Sequence, residues 1–118
     1  MLNSLYHYRA IFRSNYDGDT VTVDIDLGMG IWLRGEKLRL YGINTPEIKG
    51  GTDQQKAKAI LAREFVKAYM PEDGKILIKT HKDKHGKFGR LLATVILPNG
   101  ENLNELLVKE GVAVIAEY

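Results

Sequence analysis

Two short runs in this chain carry residues able to do chemistry, Asp17-Gly18-Asp19-Thr20 and Asn44-Thr45-Pro46-Glu47. Arg39 stands between them and Arg90 follows later, each beside apolar residues where a cation needs a reason. Together they offer oxygens for a hard cation, one carboxylate able to take a proton, and two guanidinium forks. Those are the parts required to hydrolyse a phosphodiester. The combination carries this inference, since no single motif would.

Asp19 shares the parity of Val21, Val23 and Ile25, which turns its carboxylate toward the interior at the start of a strand. A bare carboxylate there is costly, so it needs a cation or hydrogen-bond donors. A type I turn accounts for Asp17 and Gly18 but leaves the inward Asp19 unexplained. Pro46 holds Thr45 extended, so Asn44 and the Thr45 carbonyl can supply oxygens to the same ion as Asp19. Calcium accepts roughly six to eight such oxygens at about 2.3–2.6 Å. Glu47, one step on, can orient a water and take its proton; taken alone, a solvated loop glutamate is the better explanation of it. Arg39 lies between Leu38 and Leu40, and Arg90 precedes Leu91-Leu92-Ala93. A guanidinium fork matches phosphate oxygens in pairs and stays charged at any working pH. Each arginine alone fits a structural ion pair as well; the two together point to phosphate.

Other chemistries find no support. The chain has no cysteine, which excludes disulfides, thiolate metal sites and a cysteine nucleophile. His7, His81 and His85 lack metal spacing and read as solvated loop residues. No nucleophile elbow, Walker loop or dinucleotide fingerprint is present. Tyr41, Trp32 and Phe88 read as core residues, with Phe88 also able to stack on a base beside Lys87.

The 118 residues form one domain, 1–118, with an ordinary 44% apolar content. A net charge of +2 is too small to imply nucleic acid by itself. Its distribution says more: Lys79, Lys82, Lys84, Lys87 and Arg90 cluster against the single Asp83, while Asp17, Asp19, Asp24 and Asp26 gather elsewhere. That separation suits a polyanion held near a metal. No signal-peptide pattern and no apolar run of membrane-spanning length is visible. A cytoplasmic location is the default expectation, with a secreted mature form as the alternative.

Positioning these residues requires strands at Leu5 to Arg13, Thr20 to Leu27 and Lys37 to Tyr41. Gly28-Met29-Gly30 breaks the second, and Ile31-Trp32-Leu33 leads through Gly35 into the third. Thr52 with Gln55 makes a capping box for a helix whose apolar stripe is Ala57, Ile60, Leu61, Phe65 and Ala68, ended by Pro71. Ile76 to Thr80 and Arg90 to Leu97 are further strands. Pro98-Asn99-Gly100 turns the chain, Asn102 caps a second helix packed by Leu103, Leu106 and Leu107, and Gly111 closes it. Val112 to Ala116 is a last apolar segment. A helix between the third and fourth strands of a five-stranded sheet predicts an α+β, mainly β, OB-fold barrel with a second, C-terminal helix.

From about Tyr16 to Ala116 the chain resembles the staphylococcal nuclease family. The carriers are Asp17-Gly18-Asp19-Thr20-Val21, the run Leu38-Arg39-Leu40-Tyr41-Gly42-Ile43-Asn44-Thr45-Pro46-Glu47, the stretch Asp83 to Ala93 with Phe88-Gly89-Arg90, and Asn104 to Gly111. The resemblance implies a calcium-dependent nuclease that cuts DNA and/or RNA to leave 3′-phosphates. It places calcium on Asp19, Asn44 and the Thr45 carbonyl, and gives Glu47 the attacking water. Arg39 and Arg90 fall on phosphate-binding arginines, and Lys87 and Phe88 lie against substrate. Asn44 stands where aspartate is common, which predicts weaker calcium binding. Tyr118 falls short of the family's C-terminal helix, and Glu117 stands near a base-binding aromatic position. A longer span from Asp19 to Arg39 predicts an extended hairpin. The rival expectation is a catalytically inactive OB-fold module that only binds nucleic acid. A monomer with nucleic acid as partner, no membrane and no obligate protein partner completes the reading.

Overall fold

A computed structural model of the chain describes residues 6–46, 51–82 and 91–116. Five strands close into a barrel in the order β1 (His7–Asp17), β2 (Thr20–Gly28), β3 (Ile31–Leu40), β6 (Leu91–Ile96) and β5 (Lys75–His81). Two short strands, β4 (Ile43–Asn44) and β7 (Val114–Ile115), pair separately. Helix α1 (Asp53–Tyr69) connects β4 to β5, and α2 (Leu103–Lys109) follows β6. This is the expected OB-fold arrangement, with the parallel β3–β6 pairing made possible by the long excursion through α1 and β5.

Alternation builds the interior. Val21, Val23 and Ile25 of β2 meet Leu38 and Leu40 of β3, Ile76 and Ile78 of β5, and Ala93 and Val95 of β6. Leu103 and Leu107 of α2 and Val66 of α1 close the ends of this core. Each fully buried aliphatic side chain contributes roughly 1.5–3 kcal/mol.

β2 and β3 form the expected long hairpin, joined by a two-residue turn at Met29-Gly30. Gly35, however, does not lead into a separate strand. β3 is continuous from Ile31, and Gly35 adopts a φ of +64° within a register shift opposite Asp24. Asp24 sits at this bulge. It is buried, accepts the Gly35 N–H at 2.9 Å, and binds Arg13 Nε at 2.7 Å and Arg34 Nη1 at 3.1 Å. The bulge folds its carboxylate under two arginines.

The capping box at Thr52 and Gln55 forms as expected. The buried stripe of α1 is different: Ala59, Ala62 and Val66 face the barrel, whereas Ile60 and Leu61 are exposed. Close approach explains the choice. A Cβ added to Gly18 would lie 2.7 Å from the Ala62 Cβ, so α1 packs directly on the β1–β2 turn with small residues facing it. Leucine at that face would hold the helix off.

Asn102 caps α2 by accepting the Glu105 N–H at 3.1 Å, and Leu103 and Leu107 are fully buried. Asn104 lies on the same buried face. Its Oδ1 accepts the Val95 N–H at 3.1 Å, while Nδ2 donates to the carbonyls of Tyr41 at 2.9 Å and Ala93 at 3.1 Å. One side chain thus ties α2 to β6 and to the segment leaving β3. No helix among the described residues is long and apolar enough to cross a membrane.

Candidate active site

The barrel end where β1 turns into β2 also receives the end of β3 and the short β4, because Thr20 pairs with Arg39. That register sets Asp19 beside Arg39. The Asp19 carbonyl accepts the Leu40 N–H at 2.8 Å, which locks the two strands together at the site. Asp19 is only 7% exposed, as its parity predicts.

Its carboxylate is fully engaged. Oδ1 accepts the Thr20 hydroxyl at 3.3 Å, and Oδ2 accepts the Thr45 N–H at 3.1 Å. Arg39 Nη1 stands 3.1 Å from the same Oδ2 and 3.4 Å from the Asp19 carbonyl oxygen. Arg39 Nη2 donates to Asn44 Oδ1. The four residues Asp19, Arg39, Asn44 and Thr45 therefore come together at one end of the barrel. Of the two readings the sequence left open for this arginine, the geometry displays the ion pair, with the Arg39 side chain 11% exposed against Asp19.

Thr45 adds a second observation. Its hydroxyl is buried and has no hydrogen-bond partner among the described residues. With the Asp19 carboxylate and the Asn44 amide oxygen, Thr45 offers only oxygen donors, its carbonyl and this unsatisfied hydroxyl. Such a set fits calcium or magnesium and not a soft metal. Among the described residues no group of three or more histidine, cysteine or acidic side chains supplements it, so its charge rests on Asp19. Glu47, Lys87, Phe88 and Arg90 lie outside the described residues, as does His85.

Two expectations about aromatic residues are corrected. Tyr41 and Trp32 are not core residues. Tyr41 is 38% exposed, and Trp32 lies on the hairpin with Arg34 over its ring at 4.8 Å. His81 is not a solvated loop residue either. It ends β5, stacks on Tyr41 with ring centroids 4.0 Å apart, and shares a 2.9 Å hydrogen bond with the Thr94 hydroxyl. Burial, with Lys79 and His7 nearby, pushes its pKa below the ordinary 6.5.

Sequence reasoning also passed over Asn104 as a tie and Asp24 as an anchor. Asn104 was detectable as the one amide on the face shared by Leu103 and Leu107. The Asp24 bulge had no comparable signal, because a single Gly35 does not fix a register.

A closed five-stranded barrel with this cluster at its end defines a class, and comparison with known sequences places the chain in it. The model of the staphylococcal nuclease homologue family matches residues 37–118. The chain belongs to that family. Endonuclease YhcR of Bacillus subtilis (strain 168) is 29% identical over 111 residues, which make up 90% of this chain and 9% of that protein. An uncharacterised protein of Bacillus anthracis is 31% identical over 102 residues, 85% of this chain and 44% of its own length. The chain thus spans less than half the length of either relative.

Proposed function

We propose that this domain is a calcium-dependent nuclease that hydrolyses phosphodiester bonds of DNA or RNA and leaves 3′-phosphate ends. The observation that carries the reading is the convergence of Asp19, Arg39, Asn44 and Thr45 at the barrel end. Membership of the nuclease homologue family and similarity to a protein named as an endonuclease support it.

Asp19, Asn44 and the oxygens of Thr45 would hold the ion. Calcium bound there supplies Lewis-acid polarisation of a phosphate oxygen. Glu47 orients the attacking water and accepts its proton, so that hydroxide is delivered to phosphorus. Arg39, with Arg90, binds the phosphate and stabilises the charge that builds on its oxygens as the bond to the leaving oxygen breaks. Lys87 and Phe88 contact the nucleic acid beside that phosphate.

The second reading, a barrel that binds nucleic acid without cutting it, draws on one feature. Asn44 replaces a possible carboxylate, and its oxygen is already engaged by Arg39. Cleavage of single-stranded DNA separates the two when measured with calcium, with EGTA, and with Glu47→Gln. The nuclease reading expects calcium-dependent cutting, abolished by EGTA and reduced on the order of 10²–10⁴-fold by the substitution. Binding that weakens steeply with salt, and no cutting in any arm, would leave the second reading standing.

A further inference from the structure

Just past the end of β3, Tyr41 joins residues of β5, β6 and α2 in lining a groove of about 610 Å³. Alternation turns Arg39 away from the core, because Leu38 and Leu40 on either side are fully buried, and Tyr41 follows two residues later as part of the groove lining. Tyr41 follows Arg39 by two residues, so it lies about 7 Å further along the chain, on the scale of one nucleotide step. The groove floor is the stacked Tyr41–His81 pair with Thr94 beside it. α2 contributes Asn104, Glu105, Val108 and Lys109 to the lining and β5 contributes Lys79, so the groove carries two lysines and one glutamate.

We propose that this groove is a nucleobase subsite, which takes a base of the single strand whose phosphate is held by Arg39. This rests on the nuclease reading for the position of that phosphate, and otherwise on the groove itself. The floor is aromatic and mostly apolar, which suits the face of any base. The Thr94 hydroxyl, paired with His81 Nε2, keeps a further hydrogen-bonding position for a base edge without fixing sequence. The lysines suit the phosphates on either side of the bound nucleotide. His81 stays uncharged near neutral pH, as the direction of its pKa indicates, and a neutral ring stacks without needing a counter-ion. A base seated there would also fix the direction in which the strand crosses the barrel.

The test measures affinity apart from cutting. A fluorescently labelled oligothymidylate of eight nucleotides is titrated in EGTA against the wild-type chain, Tyr41→Ala, His81→Ala and Tyr41→Phe. The expected result is an affinity loss of about tenfold or more for each alanine variant, with Tyr41→Phe close to wild type. Cleavage at saturating substrate should keep its kcat while KM rises. NMR on the wild-type chain gives a readout that no substitution can confuse. The Tyr41, His81 and Thr94 amide signals should shift on addition of the oligonucleotide.

Unchanged affinity in both alanine variants, or no shift at those three amides, overturns the subsite even if the enzyme cuts normally. The converse pattern is separable. Groove-dependent binding with no cleavage under any condition sinks the nuclease reading and keeps the subsite.

Discussion

Arg39 and Asp19 hold each other at two points, guanidinium Nη1 lying 3.1 Å from the carboxylate and 3.4 Å from the backbone carbonyl of the same residue. The residue proposed to bind phosphate is therefore latched onto the residue proposed to bind the ion. Both are nearly buried, with side chains 11% and 10% exposed, so solvent screens the pair little. The pairing compensates the buried carboxylate, and on the proposed mechanism a cation and a phosphate would each draw one partner away.

A latch of this kind makes opposite demands on affinity and rate. Arg39→Gln should tighten calcium binding, because a competitor for Asp19 and Asn44 is removed, while lowering cleavage roughly 10²–10³-fold. Isothermal titration with calcium and a cleavage assay on the same preparation read both. Weaker calcium binding in Arg39→Gln would mean that the arginine orders the oxygens and does not compete for them.

Asn44→Asp addresses the other side of the same site. A second carboxylate adds charge beside Asp19 to an all-oxygen set in which Asn44 now supplies only a neutral oxygen. Calcium affinity should rise by about tenfold or more. The same titration shows it, and an unchanged constant would place the ion elsewhere.

Gly18 positions the site through α1. Its added Cβ would meet the Ala62 Cβ at 2.7 Å and the Thr45 side chain at 3.1 Å, and neither neighbour has a flexible end to move. Gly18→Ala should cost about 1–3 kcal/mol and lower Tm by several degrees. Cleavage should fall beyond what the loss of folded protein explains, because Thr45 shifts with the helix. Thermal melts compared with activity well below Tm separate the two effects.

How much of this was legible in the sequence follows from the range of each interaction. Strand parity is a local property, so the inward aspect of Asp19 and the core of Val21, Val23 and Ile25 could be read directly. Capping is equally local, and both Thr52 and Asn102 cap where their spacing predicts. The face that α1 buries depended on a contact across 44 residues, Gly18 against Ala62, which composition cannot show. The larger side chains of Ile60 and Leu61 therefore pointed to the wrong stripe. The Tyr41–His81 stack was hidden for the same reason: β3 and β5 become near neighbours only once β6 lies between them.

Asn104 carries a further stability prediction. Asn104→Ala would leave the Val95 N–H and the Tyr41 carbonyl without their present partner, whereas the Ala93 carbonyl keeps the Tyr41 N–H at 2.8 Å. The buried Val95 N–H left unsatisfied should cost about 1–3 kcal/mol. Asn104→Asp is the sharper variant, since it keeps the shape but turns an oxygen toward two carbonyls. Denaturant unfolding should rank both well below wild type, and a loss under about 1 kcal/mol in either would show that water replaces the amide.

Acid unfolding should report on the hairpin, through Asp24. The Gly35 N–H, followed by Arg13 and then Arg34, stabilises its ionised carboxylate and lowers the pKa from 3.8 to about 2, against an opposing effect of burial. The folded chain thus binds fewer protons at this group than the unfolded chain does. Its contribution to stability is present in full above pH 3.8 and is lost as the pH falls toward about 2. Asp24→Asn removes the titrating group and leaves Arg13 and Arg34 without their carboxylate. The stability gap between wild type and variant should therefore be wide at pH 6 and close progressively below pH 4, as denaturant melts at stepped pH would measure. Salt should narrow the gap as well, because both arginines reach well into solvent. A gap that stayed constant from pH 6 to pH 2 would mean that the amide replaces the carboxylate at Gly35 and that the arginines add nothing.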